Sequence, residues 1–209
     1  MNHKTKTHII LVRHGQIQAN LDKRWHGWTD SPLTAIGRSQ AQAAGKRLAA
    51  QHQDISAIYA SPLQRTRHTA EAIANQLAKP VTLMDDLKEY GLGIWEGETF
   101  ADLHKQYDFF ENVKKDRHYA PEQGESIQQV YERVAAALGS IAEKHRGEKV
   151  LAVSHGAAMA LALSHFLDAN PYAWENYQFN NTSVTELMLG DNAELLSFNC
   201  DKHLEDLEQ

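Results

Sequence analysis

The sequence predicts an α/β fold, a three-layer α/β/α sandwich around a mostly parallel sheet, on three observations. Two short apolar runs, His8-Ile9-Ile10-Leu11-Val12 and Lys149-Val150-Leu151-Ala152-Val153, read as strands covered on both faces. Strand-like segments alternate with segments of helical periodicity, the order that builds parallel sheets. The 209 residues are 42% hydrophobic and 23% charged, a balance that excludes disorder and fibrous repeats and suits one domain over residues 1–209.

Taken in order, the first strand covers His8 to Val12. After Pro32, Gly37, Ala41, Ala44 and Leu48 fall on one helical face. A second strand, Ser56 to Ala60, precedes Ser61-Pro62, read as an N-cap and first helical residue. Thr66, Ala70, Ile73 and Leu77 then continue that helix. Past Gly124, Ile127, Val130, Val134, Leu138 and Ile141 form another apolar stripe. The run Ala157 to Leu163 is apolar all round, so its helix is expected to be central and buried. Val184–Leu189 and Ala193–Phe198 read as a late strand pair turning at Gly190-Asp191-Asn192. The stretch of about 89–123 fits neither period. Rich in glycine and aromatics, it is expected as a partly helical insertion over the strand ends, a pocket wall or lid.

Composition narrows the function classes. A net charge of −6 argues against a broad basic face for nucleic acid. No apolar stretch approaches bilayer length, so no membrane partner is expected. The polar start Met1 to Thr7 lacks a signal peptide's hydrophobic segment. A single cysteine, Cys200, excludes an intramolecular disulfide framework, and a cytoplasmic protein is the expectation. No ligand cluster with zinc spacing is present; no metal and no cofactor are expected.

Chemistry concentrates at strand ends. Arg13-His14-Gly15 follows the first strand, and Ser154-His155-Gly156 repeats the arrangement after another buried strand. Arg65 lies in the first turn of a helix that starts at a third strand end. Helix N-termini favour anions, and the arginine fork matches phosphate oxygens. Two arginines and two histidines converging on one crevice describe a phosphate site. A cysteine phosphatase is rejected, because the position its arginine must fill after Cys200 is Asp206. A P-loop is rejected because Gly45-Lys46 is followed by Arg47, without the earlier glycine.

These motifs, taken together, resemble the histidine phosphatase superfamily, also called phosphoglycerate mutase-like, from Ile9 to about Leu189. The resemblance rests on Leu11-Val12-Arg13-His14-Gly15 with Asn20, Gly27-Trp28-Thr29-Asp30-Ser31-Pro32-Leu33-Thr34 with Gly37, and Ser61-Pro62-Leu63-Gln64-Arg65-Thr66. It continues through Glu89 with Gly93-Ile94-Trp95-Glu96-Gly97, Gly124-Glu125-Ser126, His155-Gly156 and Asn181-Thr182-Ser183. It implies His14 as a nucleophile forming a phosphohistidine and Glu89 as the proton donor. It implies Arg13, Arg65 and His155 on the transferring phosphoryl group, with Asn20, Gly27 and Gly156 in the substrate site. Where many members carry threonine two residues after the first motif's glycine, this chain has Ile17, which bears on a hydroxyl contact near the phosphate.

The expected function is a metal-independent phosphatase for small phosphorylated metabolites. One alternative is a 2,3-bisphosphoglycerate-dependent phosphoglycerate mutase. The mutases typically follow the glutamate with R-H-Y-G, where this chain has Tyr90-Gly91-Leu92-Gly93. An inactive binding or scaffold relative is the other alternative. Lys114, Lys115 and Arg117 read either as a contact for a second anionic group or as a solvated face. Trp25 and Trp28 read either as pocket mouth or as loop braces. His26, His68, His104 and His118 are expected as surface or supporting groups.

Overall fold

Alternation within the first strand sets the layers. In the computed structural model, which describes residues 6–205 and Leu207, β1 (Thr7–Arg13) is a central strand. Its Ile9 and Leu11 side chains join one apolar cluster, and Ile10 and Val12 join another. Opposite faces of a pleated strand carry alternate residues, so β1 is sandwiched between two layers. Residues 1–5 of the polar start lie outside the described residues.

The chain continues through α1 (Gln18–Leu21), α2 (Ala35–Gln51), β2 (Ile55–Ala60), α3 (Gln64–Leu77) and β3 (Val81–Leu83). The aromatic segment carries α4 (Phe100–Lys105) and α5 (Phe109–Lys115). Then come α6 (Ile127–Lys144), β4 (Lys149–Ser154), α7 (Gly156–Leu163), β5 (Val184–Leu189) and β6 (Glu194–Cys200). Strand order is β3-β2-β4-β1-β5-β6. The first four are mutually parallel, β5 runs antiparallel to β1, and β6 antiparallel to β5. The sheet is therefore mixed, with its parallel part under the site. Helices α2 and α3 cover the Ile10 face through Ala44, Leu48, Ala70 and Ile73. Helices α6 and α7 cover the Ile9 face through Val130, Val134, Leu138 and Leu161.

Two local expectations are corrected. Helix α3 starts at Gln64 with Leu63 as N-cap, two residues later than Ser61-Pro62 indicated. The cap comes instead from another loop, where Asp30 Oδ1 accepts from Gln64 N at 2.8 Å. Long-range contact thus replaces the local cap, and the Ser61 hydroxyl is left for the site. The edge strand β3, three residues and half-exposed, has no apolar run and was not anticipated. By contrast, α7 is buried along its whole length, as its all-apolar sequence requires. It begins at the C-terminal end of β4, beside the end of β1, where Arg13 and Ser154 are register partners.

Candidate active site

The loop after β1 is built by close backbone packing. A Cβ on Gly15 would lie 2.4 Å from Gly37 O, and one on Gly37 2.1 Å from Gln16 O. Only paired glycines allow the first turn of α2 to seat against the loop. Gly15 N donates to Thr69 Oγ1, which donates to Arg65 O at 2.7 Å, so α3 is locked to the same loop.

His14 is buried, and its Nδ1 lies 2.8 Å from Gly15 O. A carbonyl only accepts, so Nδ1 carries the proton in neutral imidazole and Nε2 holds the lone pair. Burial first, then the Arg65 and Arg13 charges, push His14 well below the usual histidine value. At neutral pH the ring is uncharged, with the lone pair on Nε2.

Arg13 donates to Phe179 O through Nη1, while its buried Nε has no partner. That unspent donor beside His14 is what an anion site requires. Arg65, fully buried, is held more tightly. Its Nη1 donates to Thr29 O, its Nη2 to His26 O and Gly27 O, and its Nε to His155 Nδ1 at 3.2 Å. Desolvation lowers its pKa to about 10, which still leaves it charged at pH 7. Because His155 Nδ1 accepts, Nε2 carries the proton and donates to Ser61 Oγ at 2.9 Å. Burial and the neighbouring arginines keep His155 neutral too.

Glu89 is buried at the N-terminus of α7. Its Oε1 accepts from Tyr90 N and Ala158 N, and its Oε2 accepts only a 3.2 Å bond from Ala157 N. Oε2 is therefore the carboxylate oxygen with the greater spare acceptor capacity. The backbone behind it is gripped by Arg133, which donates to the carbonyls of Asp86, Lys88 and Glu89 and makes a two-pronged ion pair with Glu125. Glu96, from the G-x-W-E-G stretch, accepts from Trp28 N, Thr29 N and Leu92 N, tying the Gly27 loop to the Glu89 loop.

A cavity of about 720 Å³ opens from these groups. Arg13, His14, Asn20, Glu89 and Gly156 line it, whereas Arg65, His155 and Gly27 stand behind that lining. Asn20 Oδ1 accepts from Ile17 N and Asn181 Nδ2, and Asn181 also donates to His14 O. Ile17 is buried against Leu33 and Ala41 and contributes wall where a hydroxyl was in question. The tryptophans divide. Trp25 lines the cavity, while Trp28 is half-exposed and braces the loop by donating Nε1–H to Glu89 O at 2.9 Å.

Lys114, Lys115 and Arg117 do not line the cavity; Lys114 stands 3.9 Å from Glu175. Besides Arg13, the arginine that does is Arg24, exposed and donating to Gly97 O, which sequence reasoning passed over. His26, expected as a supporting group, also lines it. The lining stretch from Trp174 to Phe179 was missed as well. Its signal was the cluster Tyr172, Trp174, Tyr177 and Phe179 in an otherwise polar connection. Among the described residues no three His, Cys, Asp or Glu side chains gather as a metal ligand set, and no helix is long and apolar enough to cross a membrane.

An α/β sandwich presenting a neutral histidine, arginines and a buried glutamate at parallel strand ends defines a phosphoryl-transfer site. The histidine phosphatase superfamily (branch 1) model matches residues 9–201, and the chain belongs to that superfamily, whose enzymes are of phosphatase and mutase type. A probable phosphoglycerate mutase from Salmonella arizonae is 35% identical over 181 residues, 86% of this chain and 83% of that one. The phosphoserine phosphatase of Entamoeba histolytica, solved with 3-phosphoglyceric acid, superposes with TM-score 0.85 at 31% identity, covering 95% of this chain and 99% of that chain. A mycobacterial glucosyl-3-phosphoglycerate phosphatase, solved with VO3, superposes with TM-score 0.81 at 27% identity over 92% and 98% of the two chains.

Proposed function

We propose that the protein is a metal-independent phosphatase that hydrolyses small-molecule phosphomonoesters through a phosphohistidine. His14 Nε2 attacks phosphorus in line and the ester P–O bond breaks. Glu89 delivers its proton to the leaving alcohol oxygen, and His14 carries the phosphoryl group. Glu89 then takes a proton from water as its oxygen attacks phosphorus. The P–N bond breaks, inorganic phosphate leaves, and both residues return to their starting forms. Arg13 offers donors to the equatorial oxygens. Arg65 adds positive charge from behind and holds the Gly27 loop, and His155 orients Arg65.

The observation that carries hydrolysis over isomerisation lies beside Glu89. Tyr90 and Leu92, at the positions where mutases place arginine and tyrosine for the substrate, are 1% and 0% exposed and do not line the cavity. A phosphoglycerate would lack that clamp, and its departure admits water to the phosphohistidine. The test follows p-nitrophenyl phosphate, and separately 3-phosphoglycerate with a trace of 2,3-bisphosphoglycerate. Inorganic phosphate from the aryl ester with little 2-phosphoglycerate is expected. Rapid isomerisation with negligible hydrolysis would establish the mutase, as the name of the Salmonella relative suggests. No phosphoryl transfer in either assay would point to the scaffold alternative.

A further inference from the structure

Resting on the phosphatase reading, we infer that the alcohol released from the substrate carries an aromatic ring, which seats on an aromatic wall of the cavity that His14 also lines. The wall is assembled from three separate parts of the chain. Trp25 stacks with Phe100 at 5.2 Å between ring centroids, and Phe100 lies nearly parallel to Phe110 at 6.4 Å, 8° between planes. Trp174, from the lining stretch that ends at Phe179, stands 6.3 Å from Trp25. All four line the same cavity as Arg13 and His14.

Size and charge agree with a ring-bearing ligand. A volume of about 720 Å³ lies within the roughly 300–1,000 Å³ of sites that enclose a ligand with a substantial apolar body. Phe100 is 51% exposed, an apolar face standing open at the site where a ring would cover it. A small phosphorylated hydroxy acid or amino acid would leave these rings in water. It would also need a second cation for its carboxylate. Among the described residues Arg24 is the only lysine or arginine besides Arg13 that lines the cavity, and one of its donors is committed to Gly97 O. Lys114 does not line the cavity and faces Glu175 instead.

The experiment compares 2-phenylethyl phosphate with ethyl phosphate. Both release primary alcohols, so the chemical step is matched and the ring is the difference. Phosphate release by the full chain should show kcat/KM roughly 10–100-fold higher for the ring ester, the worth of burying one aromatic group. Phe100→Ala and Phe110→Ala should each bring that ratio several-fold closer to one. Phe100 is half-exposed, so its variant is expected to fold, and the wild-type ratio is decisive by itself. A wild-type ratio within twofold of one would overturn the inference, as would a high ratio that neither variant changes. Preference for O-phosphoserine or 3-phosphoglycerate, lost in Arg24→Ala, would overturn it in favour of a small acid. No phosphate release from any ester, p-nitrophenyl phosphate included, would overturn the hydrolase reading and this inference with it.

Discussion

His14, the proposed nucleophile, is held by one hydrogen bond and flanked by two positive charges. The Gly15 carbonyl selects the Nδ1–H tautomer, while burial, Arg65 and Arg13 disfavour the imidazolium. Following the His14 ring signals by NMR against pH should give a midpoint well below 6.5, with Nδ1 protonated throughout the neutral range. A midpoint at or above 6.5 would contradict this electrostatic account. Rapid quench with substrate should trap acid-labile, base-stable phosphate on His14. His14→Ala should lose nearly all turnover, since the attacking nitrogen is removed.

At the scale of elements, α6 fixes a catalytic candidate it does not itself carry. Its Arg133 binds three successive parts of the loop leading to Glu89, and its Ser126 cap and Gln129 form a capping box just after Glu125. The Arg133 and Glu125 side chains are 17% and 13% exposed, so removing one partner strands a largely buried charge and three carbonyls. Arg133→Met should cost about 3 kcal/mol in urea unfolding, near the lower end for breaking a buried pair. It should also lower kcat more than it raises KM, because Glu89 loses its position rather than its chemistry. Arg133→Lys should restore little, since an ammonium cannot reproduce the fork. Wild-type stability and kcat in Arg133→Met would show that the clamp is dispensable.

Across the whole molecule, buried neutral histidines couple folding to pH. His14 and His155 titrate below their unfolded value in the fold, and burial helped by Arg47 brings His203 down to about 4. Above pH 6.5 these groups are neutral in both states and add no pH dependence. Below it the unfolded chain binds protons that the fold refuses. Stability should therefore fall as pH drops, by about 1.4 kcal/mol per pH unit for each fully excluded histidine. Urea midpoints at pH 7.5, 6.0 and 5.0 should decline steadily, and His155→Gln should decline less steeply than wild type. A flat profile between pH 7 and 5 would refute the coupling.

How much was legible in the sequence follows from the range of each interaction. Strands β1 and β4 and helix α7 are apolar on every side, so local composition alone marked them as central. Arg13, His14 and His155 were legible because a strand end places the next residue in a parallel sheet's crevice. The start of α3 was misplaced because its cap, Asp30, is a long-range partner, and β3 was missed because three half-exposed residues carry no period. Periodicity and residue chemistry by themselves determined the layered fold and singled out the residues proposed to handle phosphate. Tertiary structure alone decided that Arg65 and His155 stand behind His14, that Arg133 anchors Glu89, and that Arg24 and the Trp174–Phe179 wall reach the cavity. Those outcomes depend on which carbonyls and rings meet across the fold, and side chains far apart in the chain leave no local pattern when they meet.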